Sequence, residues 1–295
     1  MKIIKTVKEM QDFSLEQKKQ GKMIGFIPTM GYLHEGHLSL IKKSKDMTDV
    51  TITSIYVNPT QFAPNEDFTK YPRDFERDKS LAEDAGCDAI FFPNDKEMYP
   101  DGYETMVIVD SITKKFEGEK RPGHFDGVAT VVTKLFNAVT PDFAFFGQKD
   151  YQQTLVIKKL VRDLLFPISI VIVPTFRQSD GLAMSSRNVY LSTYERTRAN
   201  IIYKTLLIAK EAILNGEKRR KIINAIMINS LRSEPLVRID YVSAADAEDL
   251  SEPEEFQIGQ QLVLLIAVYI GKTRLIDNML AIIPDRDNWH KLNQL

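Results

Sequence analysis

Along residues 1–176, short and nearly continuous apolar runs alternate with stretches of mixed polarity. The runs are Met23–Ile27, Val50–Val57, Asp88–Phe92, Ala144–Phe146 and Ile168–Val173. Each closes on a breaker: Pro28, Asn58-Pro59, Pro93, Gly147 and Pro174. Runs this short and this apolar, bounded by glycine or proline, predict strands buried on both faces. The stretches between them carry apolar residues three and four apart and predict helices over His37–Met47, Phe75–Ala85, Asp126–Val139 and Asp150–Leu165. Gly86 closes the second of these, and Asp150 stands where an N-cap belongs. Thr105–Val109 predicts an edge strand. Buried strands alternating with helices define a parallel sheet covered on both sides, so 1–176 is expected to be a doubly wound, Rossmann-like α/β domain.

The rhythm changes after residue 176. Thr193–Leu214 predicts one long helix closed by Asn215-Gly216, and Lys218–Arg232 a second. Three strands follow over Arg238–Ser243, Leu262–Ile270 and Thr273–Ala281. Gly271-Lys272 between the last two is a two-residue hairpin signal of type II′. Residues 177–283 are therefore expected to form a smaller α+β domain. Residues 284–295, polar with a single Trp, are expected to be a loosely ordered tail.

The length of 295 residues agrees with two domains at roughly 150 residues each. Lys plus Arg is 39 against 40 Asp plus Glu. This balance argues against a non-specific nucleic-acid binder, which needs a basic excess, but leaves room for a local anion pocket. The one cysteine, Cys87, excludes an intrachain disulfide. The start MKIIKTVKEM lacks a signal-peptide core, and the longest apolar run, Leu262–Ile270, is too short to cross a bilayer. A cytoplasmic protein without a membrane or nucleic-acid partner is the expectation.

Four stretches carry candidate chemistry, three of them directly after predicted strands. Met30-Gly31-Tyr32-Leu33-His34-Glu35-Gly36-His37 joins the first strand to its helix. A helix N-terminus at the carboxyl end of a parallel strand suits phosphate, and two histidines three apart can share one side of it. Zinc is a rival use of paired histidines, but it needs a third ligand from Glu35, an Asp or His124. Gly147-Gln148-Lys149-Asp150 repeats the strand–glycine–helix junction, with a lysine for phosphate charge and an aspartate for a cap or for ribose hydroxyls. Met184-Ser185-Ser186-Arg187 places two hydroxyls and a guanidinium in one loop. Gln61, just past the second strand, and Gln153, one turn past Asp150, offer neutral amides for a substrate's carboxylate and hydroxyl. The loop Arg121–Gly127 is a candidate border of the pocket. The basic run Lys218–Lys221 reads as a solvated face.

Taken together, PTMGYLHEGHLSL (28–40), YVNPTQF (56–62), RPGHFDGVATVV (121–132), FFGQKDYQQ (145–153), DGLAMSSRN (180–188) and TRLIDN (273–278) resemble the pantothenate synthetase family, the pantoate–β-alanine ligases. H-x-G-H alone would indicate only the wider nucleotidyltransferase group. The resemblance implies that ATP and pantoate form pantoyl adenylate and pyrophosphate, and that β-alanine then displaces AMP. The resemblance also implies that Mg²⁺ shares the charge neutralisation and that the enzyme is a homodimer. It further implies that His37, as acid–base residue, acts with His34 and Lys149 in catalysis. By the same resemblance, Met30–His37, Gly147–Asp150, the backbone of Phe176 and Met184–Arg187 are expected to bind ATP. Gln61 and Gln153 are likewise expected to hold pantoate. Tyr32 stands where the family pattern usually has a small residue, so its ring is expected to pack against a lid or narrow the pocket.

Overall fold

The computed structural model describes residues 1–64 and 66–285. Most of the expected tail, residues 286–295, lies outside the described residues. The chain divides into two compact units, Met1–Phe176 and Arg177–Leu295.

The first unit runs β1 (Lys2–Ile4), α1 (Val7–Lys19), β2 (Ile24–Thr29), α2 (Glu35–Met47), β3 (Val50–Ile55), α3 (Phe75–Asp84), β4 (Ala89–Phe91), α4 (Asp95–Met98), α5 (Phe116–Lys120), α6 (His124–Val139), β5 (Phe143–Gly147), α7 (Tyr151–Asp163) and β6 (Ser169–Val173). Its sheet has the order β1-β4-β3-β2-β5-β6 with every pairing parallel. The apolar runs are continuous because both sheet faces are covered. Phe26, Ile52, Phe91, Ala144 and Phe146 face a core shared with Met10 of α1, Phe136 of α6 and Leu160 of α7. Their neighbours Ile27, Ile90 and Phe145 face a second core shared with Ile41 of α2 and Ala82 of α3. This is the doubly wound sheet that the pattern predicts.

Several elements depart from expectation. α1 and β1 were not foreseen. α1 buries only Met10 and Ser14, so its apolar periodicity is faint, although a capping box between Thr6 and Glu9 marks its start. β2 continues through Pro28 instead of ending there. Pairing of β2 with β5 covers only Gly25 and Phe26, so the ladder asks no N–H of Pro28 on that side. Thr105–Val109 is not a strand. Val107 and Val109 do pack on the core, but the Val107 N–H donates to Thr130 Oγ1 (2.9 Å), so a side chain from α6 takes the place of a ladder partner. Asp150 occupies the N-cap position of α7 but makes no capping bond, because a 3₁₀ turn over Gln148–Asp150 precedes the helix.

The second unit contains α8 (Thr193–Arg198), α9 (Ile201–Leu214), α10 (Arg220–Arg232) and an antiparallel sheet of β7 (Val237–Asp246), β8 (Gln261–Ile270) and β9 (Thr273–Ile282). It is the smaller α+β part. The single long helix expected over Thr193–Leu214 is broken at Ala199-Asn200. α8 buries no residue and is tied down through Arg196 to Asp180 and Gln178, whereas α9 buries a stripe of Ile202, Leu206, Ala209 and Ile213. Gly271 has φ 58° while Lys272 stays at negative φ, the signature of the predicted type II′ turn. The basic run at the start of α10 sits among Glu217, Glu252, Glu254 and Glu255 as ion pairs.

Candidate active site

β2 and β5 are adjacent in the sheet, yet α2 and α7, which follow them, pack on opposite faces. The crevice beyond their carboxyl ends is the topological switch point, where α/β sheets bind ligands. Both predicted strand–glycine–helix junctions open there.

The β2–α2 loop is held mainly through its own backbone. Thr29 Oγ1 donates to Ser54 O (2.6 Å) and accepts from the Gly31 N–H (3.1 Å). Gly31 and Tyr32 are both left-handed (φ 79° and 49°), and the next residue, Leu33, is fully buried. The Tyr32 and Leu33 N–H groups donate to the Asp78 carboxylate of α3 (2.6 and 2.7 Å). The Tyr32 ring lies under the Arg77 guanidinium, 4.8 Å from its centroid.

The H-x-G-H spacing is a capping box built from imidazoles. His34 is the N-cap of α2, and its Nδ1 accepts from the Gly36 N–H (3.2 Å). His37 Nδ1 accepts from the His34 N–H (3.3 Å). An Nδ1 that accepts puts the ring proton on Nε2, so both neutral rings present an Nε2–H donor. Their centroids are 4.0 Å apart. Burial, and after it the Lys149 ammonium, lowers the His34 pKa to about 4. Burial, then His34, then Lys149, holds His37 well below its ordinary value. Lys149 therefore acts on both rings from the β5–α7 junction, beside Asp150 (Nζ to Oδ1 3.4 Å). Glu35 lies exposed in the first turn of α2. Sequence reasoning finds the two histidines and the lysine; only the fold shows that the histidines are uncharged.

Gln61 ends a 3₁₀ turn after β3 and is buried. Its Oε1 accepts from Asn58 Nδ2 (3.1 Å) and its Nε2 faces Met30 Sδ (3.0 Å). A thioether is a weak acceptor, so a carboxylate oxygen can replace it at little cost. The turn is fixed from behind by α6. A Cβ on Gly127 would lie 2.5 Å from Thr60 O, and His124 Nδ1 donates to Gln61 O (2.8 Å). His124 Nε2 in turn accepts from Arg121, which forms a bidentate pair with Glu66 (2.6 and 2.8 Å). The Arg121–Gly127 loop thus supports the Gln61 turn. Sequence reasoning reads Asn58 within the Asn58-Pro59 break at a strand end, a position that marks a turn cap, but gives it no part in holding Gln61.

Adjacent glutamines on α7 have separate tasks. Gln152 is buried, accepts from the Glu117 N–H (3.0 Å) and donates to Ile112 O and Lys115 O (2.7 and 2.8 Å). Gln153 is partly exposed, and its side chain has no hydrogen-bond partner among the described residues. Gln153→Ala is expected to leave the melting temperature nearly unchanged while lowering kcat/KM for pantoate about five- to 150-fold, the effect of ~1–3 kcal/mol. Gln152→Ala is expected to lower the melting temperature by several degrees, since it strands buried backbone groups. Equal effects of the two on stability would remove Gln153 from the substrate site.

Phe176 is the last residue of the first unit and is 43% exposed. Met184–Arg187 lie in the second unit. Ser185 Oγ caps a 3₁₀ turn by accepting from the Arg187 N–H (3.3 Å), and Ser186 is buried. A bridge between Arg177 and Ala183 and the bond from Asn188 Nδ2 to Ala183 O (3.1 Å) shape this loop.

Acid stability follows from the histidines. Burial lowers His124, like His34, to about 4 from the ordinary 6.5. The unfolded chain therefore takes up these protons first as pH falls. The stabilisation is complete above about pH 6.5 and is lost as pH drops toward about 4. The melting temperature is expected to decline already between pH 6.5 and 5, before most carboxylates titrate, and His124→Gln should flatten the decline. A flat profile in both proteins would contradict buried neutral rings.

A Rossmann-like sheet with donors and a lysine gathered at one helix N-terminus is an α/β enzyme site for anionic substrates. The family model for pantoate-beta-alanine ligase matches residues 2–280. The pantothenate synthetase of Carboxydothermus hydrogenoformans is 52% identical over 281 residues, covering 95% of this chain and 99% of its own. That of Moorella thermoacetica is 49% identical over 285 residues, covering 97% and 100%. The solved pantothenate synthetase from Thermus thermophilus superposes with a TM-score of 0.88 at 42% identity, over 95% of this chain and 99% of that one. The Francisella tularensis pantoate-beta-alanine ligase, solved complexed with beta-gamma ATP and beta-alanine, has a TM-score of 0.76 at 36% identity, over 95% and 97%. The chain belongs to the pantoate–β-alanine ligase family. It is an enzyme of pantothenate synthesis, and pantoate and β-alanine are the molecules it joins.

Proposed function

We propose that the ligation runs through a pantoyl adenylate with ATP as the activating substrate. The observation that carries this reading is the pair of Nδ1-capped, neutral imidazoles at the start of α2 with Lys149 beside them. A carboxylate is a poor acyl electrophile. Attack of a pantoate carboxylate oxygen on the α-phosphorus breaks the bond to the bridging oxygen and releases pyrophosphate. The β-alanine amine then attacks the acyl carbon, AMP leaves, and the ammonium proton goes to solvent. In the first step charge accumulates on the departing phosphates. Two Nε2–H donors and the Lys149 cation are suited to receive it, with no reorganisation needed at the moment of reaction.

In this reading His34 and His37 donate hydrogen bonds to phosphate oxygens, a role their depressed pKa values favour over proton transfer. Gln61 and Gln153 hold the pantoate carboxylate and hydroxyls, and Gln61 also touches β-alanine. Met30–His37 and Gly147–Asp150 surround ATP, with Asp150 toward ribose. The family resemblance adds the Phe176 backbone and Met184–Arg187 to the nucleotide contacts. Among the described residues no three His, Cys, Asp or Glu side chains gather to hold a metal ion, so no all-protein cage is offered. Mg²⁺ fits as a companion of the triphosphate, with half-exposed Asp150 able to complete its shell, and supplies charge neutralisation when bound. No helix among the described residues is long and apolar enough to cross a membrane. The reading extends, on the resemblance alone, to a homodimer working in the cytoplasm, which sedimentation and cell fractionation test.

Phosphorus NMR of turnover tests the chemistry. ATP consumption is expected to require pantoate and to yield AMP and pyrophosphate, with pantothenate appearing only when β-alanine is added. ADP and phosphate as products would replace the adenylate with an acyl phosphate.

A further inference from the structure

We propose that Asp78 is a positioning residue of this ligase: its buried carboxylate fills the anion-binding nest formed by the Tyr32 and Leu33 N–H groups and so sets the loop that aims His34 and His37. The proposal rests on the reading of those histidines as phosphate-facing donors.

Asp78 sits one turn into α3, 1% exposed, on an element that carries none of the other site residues. Its two oxygens are divided between consecutive backbone donors, Oδ2 on Tyr32 N (2.6 Å) and Oδ1 on Leu33 N (2.7 Å), with Arg77 Nη1 at 3.4 Å. Consecutive N–H groups in such a turn form a concavity that ordinarily attracts phosphate. Here it already holds an internal anion. Three further donors of the loop are also committed, Gly31 N–H to Thr29, His34 N–H to His37 and Gly36 N–H to His34. Incoming phosphate therefore meets imidazole Nε2–H groups, which pass the donor character of the helix terminus outward by one ring.

The carboxylate also holds an unfavourable backbone in place. Tyr32 is left-handed at φ 49°, a region disfavoured for a residue with a bulky side chain. Asp78 grips its N–H while Arg77, the preceding residue of α3, covers its ring. The tyrosine ring is thereby held against α3.

Asp78 also lines a cavity of about 470 Å³ with Met30, Gly31, Tyr56, Arg73 and Asp95, large enough to admit a small carboxylate. This permits chemical rescue. Asp78→Ala is expected to lower kcat about five- to 150-fold, with KM for ATP changing more than KM for pantoate. Sodium formate is expected to restore part of the rate saturably, and sodium chloride at equal ionic strength is not. A merely structural carboxylate would give a loss that follows the folded fraction and ignores formate, which would overturn the proposal. So would a folded Asp78→Ala enzyme working within twofold of the unmodified one. If Asp78→Ala does not accumulate, Asp78→Asn decides. It is isosteric but sets an amide N–H against a backbone N–H, and a drop in kcat at unchanged melting temperature supports the assignment. Unchanged kcat overturns it. His37→Ala measured in parallel separates the two levels of the argument. Normal turnover there defeats the phosphate-donor reading itself, whereas slow His37→Ala with normal Asp78 variants defeats this proposal alone.

Discussion

His37→Ala is expected to lower kcat about a hundred- to a thousandfold, the effect of removing one preorganised donor worth ~3–4 kcal/mol. The same substitution removes the acceptor for the His34 N–H, so a frayed helix start contributes to any loss. His37→Asn separates the two. An asparagine Oδ1 falls near the position of imidazole Nδ1 and can keep the cap, but nothing then reaches the place of Nε2. Both variants should be slow, while the asparagine variant alone should keep the melting temperature of the unmodified enzyme. Fast turnover by His37→Asn would reduce the histidine to a helix cap.

The largest expected effect on stability lies in the second unit. Arg177 and Asp277 form a bidentate pair (2.6 and 3.0 Å) in which Asp277 is 2% exposed. Arg177 further donates to Gly181 O (3.0 Å), and its guanidinium lies 4.4 Å from the Tyr203 ring centroid. Asp277→Ala leaves this guanidinium without its counter-ion in a largely desolvated place, and is expected to cost ~3–5 kcal/mol. Replacing both partners, as Arg177→Met with Asp277→Leu, should recover most of that loss, because the penalty comes from the stranded charge more than from the missing attraction. Urea denaturation of the four proteins in the cycle measures the coupling. A single-variant cost under about 1 kcal/mol would class the pair with solvent-screened surface bridges. Since Arg177 bridges to Ala183, the loop bearing Met184–Arg187 should loosen as well, visible as faster amide exchange there.

Much of this enzyme is legible from residue order, and the reasons are local. A strand covered on both faces reads as a short run rich in apolar residues, so β2, β5 and β6 announce themselves, and β3 does so through its β-branched residues although it buries Thr51, Thr53 and Ser54. A strand–glycine–helix junction that carries His34 and His37, or Lys149, is a short-range signal, because the cap, the helix start and the reactive groups lie within one turn of each other. The two-residue turn at Gly271 is legible for the same reason. Where local signals are faint, sequence reasoning fails. α1 is almost wholly polar outward, and Thr105–Val109 has the composition of a strand but finds a threonine hydroxyl in place of a neighbour.

The type of each candidate group, and the place of His34, His37, Lys149 and Gln61 just past a strand, were determined by the sequence alone. Tertiary structure decided the surroundings of each group and the state in which it is held. Gln152 and Gln153 are chemically identical neighbours, and only their surroundings make one a buried strut and the other an amide without a hydrogen-bond partner among the described residues. His34, His37 and His124 are the same side chain. Packing and backbone contacts keep all three neutral, with the proton on Nε2 in the first two and on Nδ1 in the third. Asp78 reads as one more acidic residue on a polar helix until the fold brings it beneath residues 46 and 45 positions away in the chain. Tautomer, protonation and the filling of a nest depend on atoms that meet across such distances. Burial raises the energy of any charged or unpaired alternative, and that selection exists only once the chain has closed around them.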